Sequence, residues 1–174
     1  MHANHICITK AMPLPSGDFV KINVDGGWIG DTLKGGVGVV IRNTGGQFVR
    51  GLAGPIFCNS ALAAEAYSAI KGLALSANLG FRDVIVETDS KLLINGINGD
   101  FRNKVWSIML LEALHRICDS MHDVGWSWVH RDLNRAAHEA AMIGVRAMEL
   151  ESWVSRPPLS LVQVLVSDGL PCPP

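Results

Sequence analysis

Three acids stand where an apolar segment ends or a helix turns inward. They are Asp25 in "FVKINVDGGWIG", Glu65 in "SALAAEAYSAIKGLALSANLG" and Asp89 in "RDVIVETD". Asp25 closes an alternating run through Val20, Lys21, Ile22, Asn23 and Val24, and Gly26 and Gly27 follow it. A carboxylate at the end of a half-buried strand, beside flexible backbone, does little for stability. Glu65 precedes Ala66 and so borders the buried face of its helix, and Asp89 closes a buried strand. Each has an ordinary reading: Asp89 before "SKLLING" as a helix N-cap, Glu65 early in a helix as a partner of the macrodipole. Taken together they ask for more, because carboxylates crowded at a core edge repel one another and lose hydration. A bound divalent cation relieves both. A few hard oxygen ligands that leave room for water and phosphate suit Mg²⁺. Two such ions about 3.5–4 Å apart stabilise both the attacking and the leaving oxygen of a phosphoryl displacement.

The elements that must position these acids follow from periodicity. After Asp25, "KGGVGVVIRNTGGQFVRGLAG" gives two β-rich runs around an "NTGG" turn, so three consecutive strands form an antiparallel meander. Gly36 and Gly38 inside the second run point to close backbone approach, and no Lys-Ser or Lys-Thr follows at the spacing of a phosphate loop. Leu62, Ala66, Ile70, Leu73 and Ala77 form one face of a helix, with Ser60 as its N-cap and Gly80 as its stop. Val84-Ile85-Val86 reads as a strand buried on both faces, as in a parallel crossover. A short helix from Ser90, an apolar helix in "VWSIMLLEALHRICDSM", a strand in "GWSWVHR" and a closing helix in "NRAAHEAAMIGVRAMEL" complete the order. Trp106, Trp126, Trp128 and Trp153 are read as core or helix-packing residues, and Trp28 as a loop residue near Asp25. The pattern is α/β, a mixed sheet flanked by helices. Residues 1–17 form a loose lead-in, and residues 18–174 a single domain with a short C-terminal helical tail.

Bulk properties exclude several classes. The 174 residues are 48 % hydrophobic and 18 % charged, a globular composition, and the net charge of −1 lacks the basic excess of a tight non-specific nucleic-acid binder. Cys7, Cys58, Cys118 and Cys172 form neither a metal clamp nor a dense disulfide framework, so reduced thiols are expected in an intracellular protein, nuclear or cytoplasmic. The first residues lack the apolar core of a signal peptide, and no apolar run approaches the ~20 residues of a membrane span.

"NVDGG", the Glu of "AAEAYSAIKGLALS" and "VETDSKLLI", in this order and spacing, resemble the ribonuclease H fold. "GGVGVVIRNTGGQFV", "GFRDVIVETDSKLLI", "RDLNRAAHEAA" and the tail with "VLVSDGLP" are most similar to the ribonuclease-H-like domains of plant retroelement reverse transcriptases and their stand-alone relatives. The resemblance spans residues 19–170. It implies a mixed five-stranded sheet, the three-strand meander plus parallel strands. It also implies hydrolysis of the RNA strand of RNA–DNA hybrids with two Mg²⁺ or Mn²⁺ ions. The implied catalytic and metal set is Asp25, Glu65 and Asp89 plus a fourth acid early in the last helix. Ser90 and Asn134 are implied near the substrate, and Gly26, Gly27 and Trp28 flank the place where a phosphate backbone would approach.

The fourth position is His138 here, which either binds metal or is an interfacial helix residue. A neutral imidazole suits Mn²⁺ or Zn²⁺ better than Mg²⁺ and brings no negative charge. Glu139 is one residue along the helix, ~100° away, and cannot substitute. His130 is read as closing its strand, and Asp132 as helping to cap the last helix. These departures leave a rival: a module without catalysis that binds nucleic acid or a protein partner. A monomer is expected in either case.

Overall fold

A computed structural model describes residues 19–99 and 105–168. The lead-in expected over residues 1–17 and the last residues of the tail lie outside this range. The meander forms as expected from β1 (Val20–Trp28), β2 (Lys34–Arg42) and β3 (Phe48–Phe57). Helix α1 (Ala61–Asn78) crosses to β4 (Asp83–Thr88), which pairs parallel to β1. Helices α2 (Lys91–Ile97) and α3 (Val105–Asp119) lead to β5 (Asp123–Trp128), parallel to β4. After a short 3₁₀ turn at Arg131–Leu133 come α4 (Arg135–Arg146), β6 (Glu151–Trp153) and α5 (Leu159–Ser167). The sheet order is β5-β4-β1-β2-β3-β6, six strands where five were expected. The extra strand is β6, three residues paired antiparallel with Gly51–Ala53 of β3. Three residues are too few to carry a period-2 signal.

The helix signals read from the sequence are present. The Ser60 side chain accepts from the Ala63 N–H at 3.2 Å, and Gly80 ends α1 with φ +86°. That positive φ is open to glycine at little cost. In β4, Val84 and Val86 are buried and Ile85 only half-buried, so one face is covered more fully than the continuous apolar run suggested.

Among the described residues two larger cores hold the sheet, beside a small cluster of Cys58, Ala63 and Ala64. One face carries Ile22, Val24, Val39, Leu73, Val86, Leu93, Leu114 and Trp126 under α1, α2 and α3. The other packs Val40 against Ala136 and Ala140 of α4 and Leu161 and Leu165 of α5. The α4 contact depends on glycine. A Cβ on Gly38 would lie 2.2 Å from the Ala141 backbone N and 2.3 Å from the Ala137 carbonyl oxygen. Helix and strand therefore meet backbone to backbone, the close approach the sequence predicted for this run.

Gly26 and Gly27 serve the same purpose, which corrects their assignment to a phosphate approach. A Cβ on Gly26 would lie 2.3 Å from the Ala64 carbonyl carbon of α1, and one on Gly27 2.7 Å from the Val145 side chain of α4. The space beside both is filled by helices. Three further positions differ from expectation. Trp28 is the last residue of β1, paired with Gly35, not a loop residue, and its Nε1 donates to the Thr32 carbonyl at 3.1 Å. Trp128 is 41 % exposed at the end of β5, whereas Trp126, two residues earlier, is buried. Asp132 caps nothing in α4: it pairs with His130 at 3.1 Å in the exposed 3₁₀ turn, and Asn134 holds the N-cap position without a side-chain cap bond. Trp153 is half-buried against the second core, and the packing of the Trp106 side chain lies outside the description.

Candidate active site

The parallel β1–β4 register pairs Asn23 with Glu87. Two residues further along each strand, on the same face because side chains alternate with period 2, stand Asp25 and Asp89. Glu65 comes from the second turn of α1. Ligand oxygens of Asp25, Glu65 and Asp89 all lie within 4.8 Å of one another. The fold thus places Asp25 within β1, Asp89 directly after the adjacent β4, and Glu65 on α1, the helix that leads from β3 to β4.

Burial and mutual repulsion dominate the electrostatics. Desolvation pushes the Glu65 carboxyl up to about 9, with the charges of Asp25 and Asp89 adding to it. Asp25 is raised too, first by burial and then by Asp89, against a hydrogen bond from His138 that lowers it. Glu65 Oε2 is buried without a hydrogen-bond partner. Buried polar atoms without partners are uncommon and costly. A divalent cation fits all of these observations: hard oxygen donors, negative charge in excess, and an oxygen lone pair aimed at nothing. Asp25, Glu65 and Asp89 are the residues that would hold it.

His138 reaches this cluster by another route. Its Nδ1 lies 2.7 Å from Asp25 Oδ2, and its Nε2 lies 3.4 Å from an Arg131 Nη2. Arginine can only donate, so Nε2 accepts and Nδ1 carries the proton that it donates to Asp25. In this arrangement neither ring nitrogen offers a lone pair to a metal. The ring partly offsets the Asp25 charge, where a fourth acid would have added to it.

The implied substrate residues divide. Asn134 is buried, 1 % exposed, and lies beneath the cluster rather than at its mouth. Ser90 caps α2, accepting from the Leu93 N–H at 3.2 Å, and keeps its own O–H free to donate. His130 follows the end of β5 at the start of the 3₁₀ turn, where its Nδ1 lies 3.1 Å from Asp132 Oδ2 and 3.3 Å from the Asp132 backbone N. Sequence reasoning missed Trp128 and Lys91. Trp128 Nε1 donates to the Asp89 carbonyl at 3.0 Å, and Lys91 Nζ lies 4.6 Å from the centre of the Trp128 ring. The proximity of Trp128 to Asp89 follows from the β4–β5 pairing of Thr88 with Trp128, which short-range periodicity does not reveal.

The raised Glu65 has a measurable consequence. A folded-state value near 9 against an ordinary 4.5 means that folding takes up a proton between those two pH values. Stability of the metal-free chain therefore falls as pH rises through this window, by about 3 kcal/mol at pH 7 from this group alone. Melting in chelator from pH 5 to pH 8 is expected to show wild type losing ground steadily against Glu65→Gln. Curves that stay parallel would refute the assignment.

A family model described as "Reverse transcriptase-like" matches residues 23–143. The ribonuclease H of Wigglesworthia glossinidia brevipalpis is 25 % identical over 131 residues, covering 69 % of this chain and 81 % of that protein. Among solved structures, the N-terminal RNase H domain of a Mycobacterium tuberculosis protein matches with a TM-score of 0.68 at 23 % identity, over 75 % of this chain and 95 % of the other. RNase H1 from Halobacterium salinarum gives 0.67 at 21 % identity, over 74 % and 97 %. LC11-RNase H1, solved in complex with an RNA/DNA hybrid, gives 0.68 at 20 % identity, over 73 % and 96 %. The architecture these structures share with this chain is the ribonuclease H fold.

Proposed function

Because the chain belongs to the reverse transcriptase-like family, we propose that it is a ribonuclease-H-type hydrolase that cuts the RNA strand of RNA–DNA hybrids. The observation that carries this is the Asp25–Glu65–Asp89 cluster, whose ligand oxygens lie within 4.8 Å of one another. Two Mg²⁺ or Mn²⁺ ions, when bound there, supply Lewis-acid stabilisation of the attacking water and the leaving 3′-oxygen. Asp25 within β1, Asp89 at the end of the neighbouring β4, and Glu65 on α1 set the geometry without reorganisation. His138 holds its proton on Nδ1 toward Asp25 Oδ2 and so keeps that oxygen oriented. Ser90 presents a free O–H beside Asp89, and Lys91 brings positive charge for a phosphate. Selection for RNA rests on contacts to 2′-hydroxyls across the minor groove.

All three acids come from one chain, which is consistent with a monomer. The free thiols of Cys58 and Cys118 fit a reducing, intracellular setting. The motifs "VETDSKLLI" and "RDLNRAAHEAA" support a plant retroelement-type origin.

A second reading, a binding module with weak or no catalysis, is favoured by His138 standing as a donor to Asp25 where a fourth acid is implied. Gel-shift and cleavage assays on one hybrid separate the two. The enzyme reading expects His138→Asp to raise cleavage in Mg²⁺ several-fold at similar hybrid affinity. If neither wild type nor His138→Asp cleaves while both bind, the module reading stands instead.

A further inference from the structure

Beneath the carboxylate cluster runs a chain of hydrogen bonds that none of the roles above uses. Lys21 Nζ donates to Glu87 Oε1 at 2.9 Å, and Asn23 Nδ2 donates to Glu87 Oε2 at 3.0 Å. The second proton of Asn23 Nδ2 goes to Asn134 Oδ1 at 3.2 Å. Asn134 Nδ2 in turn donates to the Val24 carbonyl at 2.9 Å and to Asp89 Oδ1 at 3.3 Å. Asn23 and Asn134 are each 1 % exposed.

The network has only one consistent sense. An amide nitrogen carries two protons and no lone pair, and an amide oxygen only accepts. Glu87 can only accept, so Asn23 must turn its nitrogen toward it. That same nitrogen then needs an acceptor in Asn134, which fixes the Asn134 oxygen toward β1 and its nitrogen toward Asp89. Flipping either amide would set nitrogen against nitrogen or oxygen against carboxylate. In a low-dielectric interior such a mismatch is expensive, and a satisfied network is correspondingly rigid.

We propose that Asn23 and Glu87 are positioning residues, which act through Asn134 to hold the Asp89 carboxylate in its metal-binding orientation. Asp89 Oδ1 is held by an oriented N–H at 3.3 Å, which restricts rotation of the carboxylate that faces Asp25 and Glu65. The inference deepens the metal-centred reading above and rests on it. It assigns Asn134 to the support of Asp89 instead of to the substrate.

The test measures Mn²⁺ binding by calorimetry and hybrid cleavage in parallel, on wild type, Asn23→Leu, Glu87→Gln and Glu87→Leu, with thermal melts on each. Asn23→Leu and Glu87→Leu are expected to weaken Mn²⁺ binding by roughly 10-fold, as loss of an outer-shell partner does. They lower kcat and leave KM for the hybrid unchanged, because Asn23 and Asn134 are shielded from solvent. Glu87→Gln keeps an acceptor for Asn23 and is expected to bind Mn²⁺ within about 2-fold of wild type. A folded Asn23→Leu chain with wild-type Mn²⁺ affinity overturns the proposal, as does Glu87→Gln failing as badly as Glu87→Leu. If Asn23→Leu does not fold, the two Glu87 variants decide. A wild type that binds Mn²⁺ but cleaves no hybrid removes the nuclease reading and leaves the binding arm to stand; one that binds no Mn²⁺ overturns both.

Discussion

Asp25→Asn is expected to lower hybrid cleavage by at least about 10³-fold, equivalent to some 4 kcal/mol of barrier, while the chain stays folded. Asparagine matches aspartate in shape, and its Oδ1 can still accept from His138. What it lacks is the charge that completes the cation site and that faces Asp89 and Glu65 in the cluster. The same loss should make the metal-free protein more stable near neutral pH. Asp25 is raised by burial and by Asp89, so its ionised form is disfavoured in the folded state. The opposite signs separate this outcome from general damage: activity falls and the melting temperature in chelator rises. Single-turnover cleavage and melts on one preparation read both. A variant that loses activity and stability together would mean that Asp25 is structural.

The second large effect concerns the floor beneath the site. Gly38→Ala is expected to destabilise the chain by about 3 kcal/mol or more. Gly38 is the cross-strand partner of Asp25. Its missing Cβ is the space in which the α4 backbone lies, at 2.2 Å from Ala141 N. Both close atoms, Ala141 N and the Ala137 carbonyl oxygen, are backbone, so no side-chain rotation relieves the clash and the helix must lift. Asn134 caps α4 and His138 sits in its first turn, so lifting it also detaches the donors to Asp89 and Asp25. Cleavage should therefore fall even at temperatures where the variant is folded. Denaturant unfolding measures the first effect, with Gly30→Ala as a near-neutral control because nothing lies within 4 Å of a Cβ there. A Gly38→Ala chain as stable as wild type would show that α4 does not dock through this strand.

The three carboxylates were legible because each breaks a local pattern: Asp25 and Asp89 end apolar runs, although β1 itself continues past Asp25 to Trp28, and Glu65 borders the buried face of a helix. The meander, the crossover and the Ser60 and Gly80 signals were legible for the same reason, since they rest on periodicity and capping within a few residues. What escaped depends on distant partners. The Asn23–Asn134 bond joins residues 111 positions apart, and nothing near either residue foretells it. Gly26 and Gly27 looked like room for a ligand, but only the docked α1 and α4 reveal that helices occupy that room. The exposure of Trp128 follows from its place at the end of β5, which its alternation with Trp126 could not distinguish from burial. For His138 the residue type was plain, but its hydrogen-bonding sense was not. Arg131 donating to Nε2 is what turns the ring into a donor toward Asp25.

The central claim is that Asp25, Glu65 and Asp89 form a cation site that cuts RNA paired with DNA. It is tested most directly by incubating the wild-type chain with a hybrid labelled separately on each strand, in Mg²⁺, in Mn²⁺ and in chelator. Metal-dependent cleavage of the RNA strand is expected, with products ending in a 3′-hydroxyl, an intact DNA strand and no cleavage in chelator. An RNA strand left whole in both metals with enzyme in excess over substrate would contradict it.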